Sequence, residues 1–256
     1  MDTIIFGNGN LGRAIATALI ARGGAAPRLL GRPVGGQRAA ADLAGAALAF
    51  DATRPDAVVA NVGAALEAGC RRFVIATTGW DDDRANLAAA LREYGAAAVA
   101  APNFSLGVAV YLRLIETAAA SAARLASVAP FDPFVVEWHR RGKLDRPSGT
   151  AREIVRRLSS AVAAGEPSGE AAAPEIEVAV VRAGSSPGMH LVGFDAPGET
   201  IEIRHTARDR TAFASGAVAA ADWLRGSERE PGLHGFDEVV EDLLEDQEKP
   251  VAVAAG

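Results

Sequence analysis

Short apolar runs alternate with alanine-rich stretches of helical periodicity in the first part of the chain. Short apolar runs predict strands, and apolar positions repeated every three to four residues predict helices. The predicted strands are residues 3–6, 28–30, 48–50, 73–76 and 97–100, and the predicted helices are residues 11–22, 58–68 and 84–94. Strands and helices in alternation predict a parallel sheet with helices on both faces.

The pattern changes after residue 104, where a long helix over residues 105–125 is followed by grouped strands. These strands are predicted at residues 134–137, 175–182, 189–194 and 199–206, with a surface loop at 161–173 and a helix at 210–224. Grouped strands favour an antiparallel or mixed sheet. The predicted fold is therefore an α/β Rossmann-type parallel-sheet domain (residues 1–104, with 223–256 packing back) and a second α+β domain with an antiparallel or mixed sheet (105–222).

Composition narrows the function classes. The formal net charge of −6 argues against a general nucleic-acid or membrane-surface binder, so neither partner is expected. The single cysteine, Cys70, excludes an internal disulfide and fits a cytoplasmic protein. The start of the chain lacks signal-peptide features. The acidic run at residues 238–248 is interpreted as a solvated helix face, the tail after Asp246 is expected to fray, and no metal site is predicted.

A glycine-rich turn lies between the first predicted strand and the first predicted helix. It reads Gly7-Asn8-Gly9-Asn10-Leu11-Gly12, a Gly-x-Gly-x-x-Gly pattern. The first glycine permits the tight turn, the second lets a pyrophosphate approach the backbone, and the third lets the helix pack closely on the strand. This context predicts a dinucleotide site, with a plain glycine-rich turn as the alternative.

The end of the second strand indicates which dinucleotide is bound. An NAD site usually carries an acidic residue there for the ribose hydroxyls. This chain has Arg32 instead, with Arg38 nearby, and a cation suits a 2′-phosphate. NADPH is therefore favoured, use of NADH as well stays open, and the alternative is a solvated surface arginine.

A cationic segment precedes a predicted helix start in the second half of the chain. Residues 137–151 contain His139, Arg140, Arg141, Lys143 and Arg146, with Asp145 to offset them. Thr150 and Glu153 have the spacing of a capping box, which predicts a helix from about Ala151. The N–H groups near Gly149 would then suit a carboxylate, with His139 and Lys143 as neighbouring proton donors. The alternative is a solvated basic loop.

The same segment resembles the Glu-x-His-His-x-x-Lys-x-Asp-x-Pro-Ser-Gly-Thr-Ala signature of the dihydrodipicolinate reductase family. The similarity extends along essentially the whole chain. Residues 50–55, 76–80 and 101–108 resemble the family's Asp-Phe-Thr-x-Pro, Gly-Thr-Thr-Gly-Phe and Ala-Pro-Asn-Phe-Ser-x-Gly-Val stretches, and residues 181–184, 188–190, 205–207 and 213–217 continue the pattern.

The resemblance implies an NAD(P)H-dependent reductase of lysine and diaminopimelate synthesis that forms tetrahydrodipicolinate from a cyclic dicarboxylate and assembles as a homotetramer. It implies that His139 and Lys143 are catalytic and that Arg140, Ser148, Gly149 and Thr150 bind the substrate. The cofactor-binding residues it implies, together with the glycine turn and Arg32, are Arg54, Ala76, Thr77, Thr78, Ala101, Pro102, Asn103 and Phe104.

Three positions and one segment depart from the family pattern. Arg140 replaces the second histidine of the signature, Gly142 stands before Lys143, and Ala76 replaces a glycine beside the nicotinamide. The segment between Ser105 and Glu137 is a few residues longer than is typical of the family. Arginine can bind a carboxylate with two hydrogen bonds but cannot act as a titrating acid. Two alternatives therefore stay open: a reductase of the same fold that acts on another imine or unsaturated dicarboxylate, and a non-catalytic protein that senses NADP(H).

Overall fold

The structure, a computed structural model, describes residues 2–33, 39–165, 175–226 and 229–248. The chain forms two compact units. Unit 1 comprises the described residues up to Leu106 and from Arg210 onwards, and unit 2 comprises those from Gly107 to Asp209.

Ten strands and seven α-helices follow one another along the described residues. Unit 1 begins with β1 (Thr3–Phe6), α1 (Asn10–Ala21), β2 (Arg28–Leu30), β3 (Leu48–Asp51), α2 (Val58–Glu67), β4 (Arg72–Ile75), α3 (Arg84–Glu93) and β5 (Ala97–Ala100). Next come α4 (Leu106–Leu125), β6 (Asp132–His139), α5 (Gly149–Gly165), β7 (Glu177–Arg182), β8 (Met189–Ala196) and β9 (Glu199–Thr206). The chain returns to unit 1 with α6 (Thr211–Gly226), β10 (Gly232–His234) and α7 (Phe236–Glu248).

The sheet of unit 1 is parallel throughout, as predicted, with strand order β10-β5-β4-β3-β1-β2. Its central strands are buried on both faces, which explains why they read as continuous apolar runs. Alternate residues such as Phe6, Phe73 and Ile75 face a core that α2 and α3 complete. Strand β10 was not predicted, because the three residues 232–234 are too short a run to carry a strand pattern.

The sheet of unit 2 is mixed, with strand order β7-β6-β8-β9, and this confirms the predicted fold class. Strand β6 pairs parallel with β7 and antiparallel with β8. One face packs on α4 and α5 through residues such as Val135, Val192 and Ile115. Strand β6 reaches His139, two residues beyond its predicted end at residue 137, because both neighbouring strands continue to pair with it.

Two larger differences from the predicted bounds concern the end of α5 and the return of the chain to unit 1. Residues 161–165, predicted as part of a surface loop, are the last turn of α5, while 166–173 lie outside the described residues. The helix continues because Gly165 packs closely on α4: a Cβ there would lie 2.8 Å from Ala123 Cβ. The predicted return to the first domain was residue 223, whereas unit 1 resumes at Arg210, since α6 packs on α1, β4 and β5.

Helix α4 is long and apolar enough to cross a membrane by length and composition alone. Buried core helices pass the same test. Val108, Leu112, Ile115 and Ala119 on this helix belong to the hydrophobic core of unit 2. We therefore interpret α4 as a core helix.

Candidate active site

The glycine-rich turn connects β1 to α1 in the manner predicted. Gly7 has a φ of +103°, and a Cβ at this position would lie 2.3 Å from the carbonyl oxygen of Ala52. A Cβ at Gly12 would lie 2.0 Å from the carbonyl oxygen of Gly7. At Gly9, by contrast, a Cβ would meet no other described atom within 4 Å. Gly7 and Gly12 are therefore required for packing, whereas the space beside Gly9 is open to a ligand.

A cleft of about 810 Å³ lies beside this turn. Gly7, Asn8 and Gly9 line it together with Arg32 from the end of β2 and Arg54 from the loop after β3. The Arg32 side chain is exposed, and Arg54 pairs with Asp56 at 2.7 Å, so that Arg54 has a local counterion. Asn10, Leu11 and Gly12 form the first turn of α1, whose N-cap, Gly9, has no side chain to satisfy the helix N–H groups. Arg38 lies outside the described residues.

The loops after β4 and β5 carry the other predicted cofactor-binding residues. Parallel strands end at the same edge of a sheet, so residues 76–78 and 101–104 lie at the same edge as the glycine turn. They are not among the residues that line the cleft in the described part of the chain. Thr78 and Pro102 are exposed, Ala76, Ala101 and Asn103 are half-buried, and Thr77 and Phe104 are buried.

The hydroxyl of Thr77 is engaged in hydrogen bonds to other residues of unit 1. The hydroxyl donates a hydrogen bond to the buried carboxylate of Asp51 at 2.5 Å and accepts one from the Thr53 N–H at 2.8 Å. Asp51 also accepts hydrogen bonds from the Thr53 hydroxyl and the Asn61 amide. This carboxylate therefore holds together the loops that follow β3 and β4.

In unit 2, Ser148 caps the start of α5. Its hydroxyl accepts a hydrogen bond from the Ala151 N–H at 3.1 Å, and α5 begins at Gly149. The predicted capping box of Thr150 and Glu153 is wrong, because Thr150 lies inside the first turn and Glu153 pairs with Arg156 and Arg157. Ser148 sits one residue before the helix and presents its oxygen to the third helical N–H, the usual N-cap geometry.

Five buried polar residues of unit 2 form one cluster around the carboxylate of Glu137. They are all of the buried polar or charged residues found in the described part of this unit: Glu137, His139, Ser148, Arg182 and His190. Glu137 Oε1 accepts hydrogen bonds from Arg182 at 2.6 Å and from the Ser148 N–H at 3.0 Å. Glu137 Oε2 lies 3.5 Å from His139 Nδ1 and 3.7 Å from His190 Nε2.

The electrostatics of the cluster fix two charge states. Burial alone would raise the pKa of Glu137, but the neighbouring His190 ring together with hydrogen bonds from Ser148 and Arg182 outweighs it and holds that pKa well below its usual range. Burial, reinforced by the nearby His190, lowers the pKa of His139 to about 4. At neutral pH, Glu137 is therefore a carboxylate and His139 a neutral imidazole.

Lys143 and Arg140 lie in the loop between β6 and α5. Lys143 Nζ lies 2.8 Å from Asp145 Oδ1, and its side chain is 27% exposed. Although burial opposes the effect, Lys143 and the Gly149 N–H lower the pKa of Asp145. Arg140 is exposed, and its backbone N–H donates to the Ser186 carbonyl at 2.7 Å. Thus the loop places Lys143 close to the start of α5 and leaves the Arg140 side chain accessible.

Sequence reasoning missed Glu137, Arg182 and His190 as parts of this site. Strand register brings them together, since Glu137 pairs with His190 and His139 pairs with Arg182 across the sheet. The signal available was the two-residue period of β6, which places Glu137 and His139 on the same face as the core residue Val135. A charged residue at an inward position requires a buried partner.

The ligating atoms of Glu137, His139 and His190 lie within 4.8 Å of one another, a spacing that a metal ion could bridge. The guanidinium of Arg182 already lies 2.6 Å from the same carboxylate, and a second cation beside it is unfavourable. We therefore interpret these residues as a hydrogen-bonded cluster. That the protein needs no metal stays a prediction.

Comparison with known proteins gives two family matches. The family described as "Dihydrodipicolinate reductase, N-terminus" matches residues 29–104, and "Dihydrodipicolinate reductase, C-terminus" matches residues 107–240. Together the matches cover both units, although the first begins after the glycine turn.

Similar curated proteins bear the name 4-hydroxy-tetrahydrodipicolinate reductase. One from Methanosarcina barkeri is 38% identical over 197 residues, which are 75% of this chain and 72% of that protein. One from Wolinella succinogenes is 36% identical over 209 residues, 77% of this chain and 78% of that protein. A solved structure, the dipicolinate-bound dihydrodipicolinate reductase from Paenisporosarcina sp. TG-14, has a TM-score of 0.67 at 20% identity and covers 92% of this chain and 97% of its own. This last likeness shows the fold alone.

Proposed function

This chain belongs to the dihydrodipicolinate reductase family, and from that membership and the two sites we propose that it reduces 4-hydroxy-tetrahydrodipicolinate to tetrahydrodipicolinate, in lysine and diaminopimelate synthesis. The observation that carries the proposal is the end of β6 and the start of α5. There a buried histidine, a lysine and a capped helix N-terminus follow one another within the matched family region.

The cleft of unit 1 fits a nicotinamide dinucleotide. Its open glycine, Gly9, leaves room for a pyrophosphate beside the first N–H groups of α1. Arg32 would meet a 2′-phosphate, which favours NADPH, and no carboxylate is present at the end of β2 to favour NADH. Residues 76–78 and 101–104 would line the nicotinamide side. The bound cofactor supplies the hydride.

The residues of unit 2 would hold the dicarboxylate and manage one proton. The start of α5, at Gly149 and Thr150, suits one substrate carboxylate, which would take the place of Asp145 beside the Gly149 N–H, and Ser148 fixes the turn that carries these residues. The exposed Arg140 guanidinium can bind the other carboxylate with two hydrogen bonds. Lys143 Nζ would donate the proton. His139 is neutral at neutral pH, so it would not supply this proton, and its ring can instead form a hydrogen bond to the substrate.

Two further features complete the proposal. The outer face of the sheet in unit 2 exposes Trp138 at 38% and Val181 at 42%, paired side by side on β6 and β7. An apolar sheet face of this kind suits assembly with other copies of the chain, and we propose the homotetramer that the family resemblance implied. A cytoplasmic location is proposed because the single cysteine, Cys70, fits a reducing compartment.

Arg140 supports one alternative, a reductase of the same fold with another imine or unsaturated dicarboxylate as its substrate. The Arg140 side chain is exposed in the loop between β6 and α5. A change from histidine to arginine at this position alters the charge and the length of the side chain.

The test is cofactor oxidation by the purified protein, with substrate generated in situ from pyruvate and aspartate semialdehyde by the synthase that precedes this step. We expect turnover with NADPH, and a fall in kcat of about 10²- to 10⁴-fold in Lys143→Ala, the range a positioned proton donor contributes. Arg141→Ala, which changes a neighbouring exposed cation, is the matched control. No turnover by the wild-type protein, with activity gained in Arg140→His, would favour the alternative substrate. No turnover by either protein, despite NADPH binding, would point to a sensor.

A further inference from the structure

Glu137 is the one carboxylate fully enclosed by unit 2 within the described residues, and the proposed reaction gives it no task. Its side chain is 0% exposed, and its main partner Arg182 is 1% exposed. Enclosing an ion pair to this extent costs several kcal/mol of desolvation per ion unless hydrogen bonds compensate. Hydrophobic side chains would fill the same space without that cost, so the arrangement calls for a functional reason.

The partners of Glu137 come from four separate segments of unit 2. Ser148 belongs to the turn before α5, His139 ends β6, Arg182 ends β7, and His190 is on β8. Glu137 therefore connects the turn before α5 with His139, the histidine that the proposed function places at the reaction. Arg182 also donates a hydrogen bond to the Asp145 carbonyl at 2.6 Å, which ties the lysine-bearing loop to the same carboxylate.

His139 Nδ1 is one of two buried atoms of the cluster, with Arg182 Nε, that have no hydrogen-bond partner among the described residues. The carboxylate oxygen nearest to His139 Nδ1 is Glu137 Oε2 at 3.5 Å. A neutral imidazole carries its proton on one nitrogen and a lone pair on the other. A buried carboxylate beside Nδ1 stabilises the tautomer with Nδ1–H and leaves the lone pair on Nε2.

We propose that Glu137 is a positioning residue that holds His139 in the Nδ1–H tautomer. Through the Ser148 N–H, Glu137 also fixes the position of the turn before α5 relative to His139. The proposal rests on the proposed function for the role of His139, but the tautomer itself does not. The low pKa of His139 is consistent with this arrangement, because a tautomer matters only while the ring is neutral.

The experiment reads the tautomer directly. The chain has four histidines, so two-bond ¹H–¹⁵N spectra of protein labelled with ¹⁵N-histidine are simple, and a His139→Gln spectrum assigns the resonance. Spectra are recorded at pH 7 with EDTA, so that no metal ion sets the tautomer. We expect the Nδ1–H pattern in the wild-type protein. In Glu137→Gln, which keeps the volume and removes the charge, we expect a shift towards Nε2–H.

The matched control is Glu153→Gln on α5. Glu153 is also an ion-paired carboxylate of unit 2, with Arg156 and Arg157 as partners, but it does not contact the cluster. It should leave the His139 tautomer unchanged. Kinetically, Glu137→Gln should lower kcat by about 10²-fold, at the low end of what a positioned acid–base group contributes, and leave the dissociation constant for NADPH unchanged.

An Nε2–H pattern in the wild-type protein would overturn the proposal, even if Glu137→Gln proved unable to fold. An unchanged tautomer in a folded Glu137→Gln variant would overturn it as well. If the protein turned over none of the dicarboxylate, the proposed function would fail while the tautomer measurement still decided the role of Glu137.

Discussion

Acid should destabilise unit 2 in a window set by His139. The imidazole is buried, and its surroundings are Glu137 on the same strand, Lys143 in the following loop, and Arg182 and His190 on the two neighbouring strands. Burial, the nearby His190 and the two cations disfavour the protonated ring, and only Glu137 opposes them. The pKa is therefore about 4 in the folded protein, against an ordinary value of 6.5.

Proton linkage gives the sign and the size of the change in the free energy of unfolding with pH. Between pH 6.5 and pH 4 the unfolded chain binds more protons than the folded one, so the free energy of unfolding falls as the pH falls through this window. Above pH 6.5 both states are neutral at His139 and the contribution is constant. The two pKa values give a loss of about 2 kcal/mol between pH 7 and pH 5, and about 3 kcal/mol over the whole window.

The assay compares urea unfolding of the wild-type protein and His139→Gln at pH 7, pH 6 and pH 5. The variant cannot gain this proton, so the difference in unfolding free energy between the two proteins should narrow by about 2 kcal/mol from pH 7 to pH 5. The comparison cancels His205, whose pKa burial also lowers. The series stops at pH 5 because carboxylates such as Glu137, whose pKa is lowered in the folded protein, take up protons in the unfolded chain below about pH 4.5, which destabilises the fold in the same direction. A constant difference across the series, or a His139 titration midpoint above pH 6 by NMR, would refute the reasoning.

Three further predictions test other parts of the structure. Gly12→Ala should lower the free energy of unfolding by about 1–3 kcal/mol, because its Cβ would lie 2.0 Å from a carbonyl oxygen. Gly9→Ala should lower the free energy of unfolding by at most about 1 kcal/mol and weaken NADPH binding instead. Equal losses of stability in the two variants would contradict the packing argument. Arg32→Ala should weaken NADPH binding by about 1.5–3 kcal/mol in a titration and leave NADH binding unchanged, whereas an equal loss for both would exclude a 2′-phosphate contact. Ser148→Ala should cost about 1 kcal/mol through the lost cap of α5, measured by thermal denaturation, and an unchanged melting temperature would mean that the cap does not stabilise the helix.

Much of unit 1 could be predicted because its signals are local. A buried apolar run such as residues 3–6, followed by three glycines and a helix, specifies strand, turn and helix without reference to the rest of the chain. The features of unit 1 that the sequence did not predict depend on residues that are distant in the chain. Strand β10 exists because Leu233 pairs with Ala98 on β5, and α6 joins unit 1 because its alanine-rich face packs on α1.

The candidate site divides in the same way. Motif spacing and the family resemblance predicted Lys143, Ser148 and Gly149 as binding or catalytic residues, because residues of one loop stay close in sequence. The group that holds them in place comes from strand pairing, which no local pattern encodes: Glu137 meets its partners only once β6, β7 and β8 are in register. Because the predicted strand ended at residue 137, the sequence analysis did not recognise that the Glu137 carboxylate points inward.

Unit 1 offers a second example of the same construction. Asp51 is 2% exposed at the end of β3, as Glu137 is 0% exposed near the end of β6, and each carboxylate accepts hydrogen bonds from loops that carry predicted binding residues. A buried carboxylate at the end of a strand is costly unless every acceptor position is used, so its donors are held firmly in place. In both units, therefore, a carboxylate fixed by the sheet accepts hydrogen bonds from the loops that carry the residues predicted to bind the ligand.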